Sequence, residues 1–171
     1  RLESLLFYTA NVYDPLGNVS TPNKSLEIPK ANHYVLGHDF QFAKNTHFKT
    51  EVYYQQLYDT PVESKAGSSY SLINQTQWFD NVALESTGKG ENYGVEFTLE
   101  RYFANNFYYL VTASIFESKY QAKDGVWRKS RFSGNYNANF LVGKEFAVGK
   151  DKENAFQVIN AYSFTCFSTQ K

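Results

Sequence analysis

The sequence predicts an all-β chain: up-and-down antiparallel strands, about seven to eight of them, of the kind that builds a transmembrane β-barrel. Three observations predict it. Polar and apolar residues alternate with a period of two, the apolar mass is carried by aromatic rings, and the breaks between strands run alternately long and short. The alternation is clearest from Asn92 to Phe146. Tyr93, Val95, Phe97 and Leu99 share one parity against Gly94, Glu96, Thr98 and Glu100. Further on, Phe132, Gly134, Tyr136, Ala138, Phe140 and Val142 share a parity against Arg131, Ser133, Asn135, Asn137 and Asn139. One face wants apolar surroundings and the other, rich in amides and charge, wants water.

Composition fits such a wall. The 171 residues include 14 Tyr and 15 Phe but no Met, with 18% aromatic content, where a soluble domain would bury mainly Leu, Ile and Val. No run approaches the roughly 18 apolar residues of a membrane helix, so any crossing is made by strands. Lys plus Arg and Asp plus Glu both total 17, which removes the electrostatic reason to expect nucleic acid as a partner. Cys166 stands alone, so neither a disulfide framework nor an intrachain cysteine metal cluster can be built on it.

Taken in order, strands are predicted over Glu3 to Tyr13, His33 to Ala43, Thr46 to Tyr58, Asn92 to Phe103, Phe107 to Tyr120, Arg131 to Phe146 and Ala155 to Phe164, with a weaker one near Tyr70 to Gln75. Many exceed the usual soluble strand length. Lys44-Asn45 and Ala104-Asn105-Asn106 read as tight turns. Asp14 to Asn32, Asp59 to Glu91 and Gln121 to Lys129 read as long polar loops. Short turns at one end and long loops at the other are the pattern of an outer-membrane barrel, the long loops lying outside the cell. The chain then divides into a strand over residues 1–13, an outer loop over 14–32 and a meander over 33–166.

Several of these strands carry recognisable words in sequence order. Asn92-Tyr-Gly-Val-Glu-Phe-Thr-Leu-Glu100, then Tyr109-Leu-Val-Thr-Ala-Ser-Ile-Phe-Glu-Ser-Lys-Tyr120, then Asn135-Tyr-Asn-Ala-Asn-Phe-Leu-Val-Gly-Lys-Glu-Phe146 resemble late barrel strands of TonB-dependent receptors. Upstream, Asn23-Lys-Ser-Leu26, His33-Tyr-Val-Leu-Gly37 and Glu51-Val-Tyr-Tyr54 are similar to the same family's loop, strand and return strand. The likeness covers roughly residues 20 to 147. It implies a Gram-negative outer-membrane barrel of about 22 strands, filled by an N-terminal plug, that imports a small-molecule or oligomeric substrate with energy relayed by TonB. Seven or eight strands close only a narrow barrel filled by its own side chains, so the resemblance implies a segment of a larger wall. No plug is read in Arg1 to Tyr13, and Cys166-Phe-Ser-Thr-Gln-Lys171 departs from the aromatic ending expected of such barrels.

The barrel reading assigns the faces. Glu96, Glu100, Asn135 and Asn139 are expected to line the lumen, and Tyr93, Phe97, Tyr136 and Phe140 to meet outer-membrane lipid. Loop aromatics Tyr70, Trp78, Phe79 and Trp127 are candidates to stack on a ligand, Trp78 and Trp127 being equally open to the interfacial girdle, which Tyr58 and Tyr120 suit better. Paired carboxylates such as Glu96 and Glu100 can do acid and base work only when their pKa values are driven apart, and a wet lumen gives little cause for that. The chain is therefore expected not to be an enzyme and to need no cofactor.

Other motifs fail on geometry. His33 and His38 stand an odd number of positions apart, so one strand points them to opposite sides. Gly88-Lys-Gly90 followed by Asn92-Tyr-Gly94 is one residue too long for a dinucleotide fingerprint and leads into a strand. Two other functional classes stay open. A self-contained lipocalin-like barrel would turn the apolar parity inward around a small ligand, and a small structural outer-membrane barrel would transport nothing.

Overall fold

The computed structural model describes residues 5–75, 81–148 and 154–167. Six long strands carry the fold: β3 (Lys30–Ala43), β4 (Thr46–Glu63), β5 (Leu84–Ala104), β6 (Phe107–Gln121), β8 (Gly134–Val148) and β9 (Asn154–Phe167). With the short β7 (Trp127–Lys129) they make a seven-stranded antiparallel sheet in the order β3-β4-β5-β6-β8-β9, β7 pairing β6. The sheet does not close: β3 and β9 are its edges. Ahead of it lie a helical turn α1 (Leu5–Tyr8) and a separate two-residue pair, β1 (Val12–Tyr13) with β2 (Val19–Ser20).

The tight turns are where the sequence places them. Asn105 and Asn106 both take positive φ, 54° and 61°, the left-handed conformation that Asn tolerates and that a two-residue hairpin needs to match strand twist. Lys44 and Asn45 join β3 to β4 at the same end of the sheet. The loop ends differ from the sequence reading. β4 and β5 go on pairing past Leu57 up to Glu63↔Leu84, through register shifts around Thr60 with Asp59 at φ 55°. The long loop expected over Asp59 to Glu91 thus shortens to residues 64–83.

Two expected strands are corrected. The described part of Glu3 to Tyr13 is the α1 turn followed by β1, because the unbroken apolar run Leu5-Leu6-Phe7-Tyr8 offers no alternating faces, and Phe7 buries against Leu72 and Leu84 instead. Near Tyr70 to Gln75 the chain forms a 3-10 turn over Leu72–Asn74, with Ser71 Oγ accepting from Ile73 N–H. Ser71 alone bridges to Val62.

Neither face of the sheet is covered by a second layer. The accessible surface is 11542 Å², against about 8,600 Å² expected of a compact monomer of this mass. Among the described residues the buried apolar clusters lie at the loop end, one of Phe7, Leu72 and Leu84 and another of Val62, Tyr120 and Ala122. The core sits among the loops and the broad sheet stands open.

On the polar side, rings lie over glycines of the next strand. A Cβ on Gly94 would meet Ile115 O at 2.7 Å, Phe116 Cβ at 2.8 Å and Tyr53 Oη at 2.8 Å, while one on Gly143 would meet the Tyr108 ring at 2.2 Å. The Tyr108 ring can swing away, but the Ile115 carbonyl is backbone. Gly94→Ala is therefore expected to cost about 1–3 kcal/mol, more than Gly143→Ala, in urea unfolding followed in detergent.

Candidate functional site

Register decides which side chains share a face. One row runs His38, Thr50, Phe97, Ala113, Ala138 and Phe164 across the strands; its neighbour runs Gly37, Glu51, Glu96, Ser114, Asn137 and Thr165. Every second position repeats the division, so one face is aromatic and aliphatic and the other carries amides, hydroxyls and charge. The apolar face is bare: Leu36 is 78% exposed, Ile115 62% and Phe164 61%. Cavities seated on the sheet open on the polar side.

Charge marks the limits of the apolar face. On β5, Glu91 and Arg101 share the parity of Phe97 and stand 101 − 91 = 10 steps apart. That is about 33 Å along the strand and about 25 Å at a tilt near 40°, the height of a barrel's lipid-facing band. Tyr54 donates to Glu91 at 3.2 Å at one limit, where Glu117 also accepts from Tyr93 and from Lys129. Arg101 lies 6.0 Å from the Phe107 ring at the other.

The polar face divides along its length. Near the turns it is charged: Lys49 bonds Glu51 at 2.7 Å, and Asp39 meets His47 at 3.2 Å. Near the loops it floors a trough of about 860 Å³. Gln55 and Asn92 lie side by side there, Asn92 Nδ2 donating to Gln55 Oε1 at 2.7 Å. Tyr53, Phe116 and Phe132 supply its rings, and Ile73 and Gln75 from the 64–83 loop roof it. Thr60 closes the outer end, its Oγ1 buried beside Gly88 without a partner among the described residues.

The three outer loops are clasped together. Asn23, fully buried, donates from Nδ2 to Val82 O at 3.0 Å and accepts from Leu84 N–H at 2.8 Å through Oδ1. Arg131 N–H donates to Asn74 Oδ1 at 2.7 Å, and Asp124 N–H to Ser68 O at 3.2 Å. Arg128 grips Asp124 with two bonds, at 2.6 and 3.0 Å, and Lys123 pairs with Glu85. At the trough's rim Asp59, then Glu27, hold Lys30 charged.

These pairs give the loops a pH dependence. Arg128, then the Val126 N–H, hold the Asp124 carboxyl below its usual range; Lys123, then the Thr87 hydroxyl, do the same for Glu85. A carboxylate whose folded pKa is lowered adds stability that is present above its unfolded pKa and lost as pH falls through the folded value. The loops should therefore hold unchanged from about pH 8 to 5 and loosen below about pH 4. Acrylamide quenching of Trp127 in a Trp78→Phe variant should rise only in that acid window.

The predicted site residues fall as follows. Glu96 and Glu100 stand on the polar face, opposite Glu51 and His47. Asn139 joins them, its Nδ2 reaching Thr112 Oγ1 at 3.1 Å and Asn137 Oδ1 at 3.0 Å. Asn135 falls at the irregularity between Gly134 and Tyr136 and has no partner in the ladder. Trp127 is 41% exposed on β7, whereas Tyr70 is half-buried against the Phe7 cluster and accepts from Gln75 Nε2 at 3.2 Å. Trp78 and Phe79 lie outside the described residues. His33 and His38 point to opposite faces, as their spacing requires.

Two expectations change. Tyr120 is no girdle residue: it is 5% exposed, on the parity of Ser118 and Phe116, packed with Val62 and Ala122. Phe132 leaves the apolar parity because the chain turns at Ser130–Ser133 and slips one residue before Tyr136, and a one-residue slip reverses the face. Sequence reasoning did not single out the trough residues Tyr53, Gln55, Asn92 and Phe116; the signal that finds them is rings and amides standing among charged and hydroxyl neighbours of the polar parity. Compared with known protein families, curated proteins and solved structures, the chain matches none.

Proposed function

We propose that this chain is a section of barrel wall from an outer-membrane receptor of the TonB-dependent kind, which takes up a scarce nutrient such as a siderophore, glycan or peptide. In this reading Phe97 and Phe140 face lipid, Glu96 and Asn139 face the lumen, and the clasped loops stand outside the cell. A plug and TonB supply the conformational work, and the wall itself does no chemistry. The observation that carries it is the bare apolar face, bounded by charge at the height of a membrane band. The two unpaired sheet edges support a wall that continues into further strands. The trough on the polar side favours this reading over a lipocalin-like barrel, whose cavity would open on the apolar parity.

Cells carrying the complete coding sequence test it. The protein should sediment with the outer membrane, uptake should need TonB, and the frame ahead of Arg1 should encode a plug and more strands. Recovery from the soluble fraction, or a signal peptide encoded directly before Arg1, would contradict it.

A further inference from the structure

We infer that the trough beneath the loops binds an uncharged, hydroxyl-rich ligand with apolar ring faces, the chemistry of a neutral glycan; this rests on the barrel-wall reading, in which the trough opens to the lumen. Its hydrogen-bonding groups are matched to hydroxyls. The Asn92–Gln55 bond consumes one donor and one acceptor, and leaves Asn92 Oδ1 and Gln55 Nε2 without partners among the described residues. Either assignment of the two amides leaves one donor beside one acceptor. A sugar hydroxyl both gives and takes a hydrogen bond, so adjacent hydroxyls can satisfy the pair; a carboxylate or phosphate, which only accepts, would leave the acceptor facing it unsatisfied.

The rings complete the surface. Tyr53 of β4 and Phe116 of β6 stand in one register row on either side of Gly94, whose missing side chain leaves room for the Tyr53 hydroxyl end and the base of Phe116 above it. The C–H face of a pyranose is apolar and packs on such rings, while its edge reaches the amides. Charge argues the same way. Among the described residues no carboxylate lines the trough, and its cation, Lys30, is already held by Asp59 at 2.7 Å and Glu27 at 3.1 Å. The Lys49, Glu51 and Glu96 charges lie farther toward the turns. A volume of about 860 Å³ falls within the usual range for small-ligand sites.

The test is calorimetric titration of the complete protein, expressed from its full coding sequence and held in detergent micelles, with neutral hexasaccharides of glucose, xylose and mannose, and with hexagalacturonate as the anionic comparison. At least one neutral hexasaccharide should bind more tightly than hexagalacturonate. Tyr53→Ala and Asn92→Ala should each weaken it about tenfold. Tyr53→Phe, which keeps the ring, and Ile115→Val, on the opposite face, should not. Binding by none of the neutral sugars, preference for hexagalacturonate, or affinity unchanged in Tyr53→Ala and Asn92→Ala would each overturn the inference. Insertion into phosphatidylcholine vesicles is measured on the same preparation: insertion without sugar binding overturns the ligand class alone, and failure to insert overturns the barrel reading beneath it.

Discussion

Arginine in place of Phe97 is expected to cost about 2–4 kcal/mol of stability in a bilayer, the depth-dependent penalty for a charge on a barrel's lipid face near the midplane. Phe97 stands six steps from Glu91 and four from Arg101, and between those two every residue of its own parity on β5 is uncharged. Its row neighbours Thr50, Ala113 and Ala138 offer no counter-charge. Glu96→Arg, one residue away, stands on the polar face beside Glu51 and should be tolerated within about 1 kcal/mol. Unfolding in urea, followed on vesicle-inserted protein, should show a large drop for the first variant and little change for the second.

Asn23→Ala is expected to release the outer loops and leave the sheet intact. The substitution strands the buried Leu84 N–H and the Val82 carbonyl, and a buried group without its partner costs about 1–3 kcal/mol. The side chain joins segments 59 and 61 residues apart, so the loss unlocks the 22–25 turn from the 82–84 segment. Faster proteolysis within residues 64–83, with an unchanged strand signal in far-ultraviolet circular dichroism, is the expected outcome. Asn23→Asp should not rescue it, because the carboxylate keeps the acceptor for Leu84 but loses the donor to Val82 and buries a charge.

The strands were legible at their turn ends and not at their loop ends, for a physical reason. Near Lys44-Asn45 and Asn105-Asn106 alternation and turn chemistry agree, so the turn ends of β3 to β6 fall within one residue of where the sequence puts them. Toward the loops β4 crosses Asp59, Thr60 and Pro61, and the shifts there erase the period of two while pairing continues. The same effect hid Phe132, whose face depends on a slip two residues beyond it. Face assignments for Glu96, Glu100 and Asn139 followed from parity alone, since nothing interrupts the ladder around them. The loop core was out of reach, because Phe7 joins Leu72 and Leu84 across more than 60 residues, which no local pattern encodes.

The central claim is that one face of this sheet meets lipid and the other meets water, and nitroxide labels test it most directly. Labels at Phe97 and Phe140, compared with Glu96 and Asn139 in vesicle-inserted protein, should show high accessibility to oxygen and low accessibility to a nickel chelate at the first pair, and the reverse at the second. Phe97 and Phe140 closed to both oxygen and nickel, as in a packed protein core, would contradict the account.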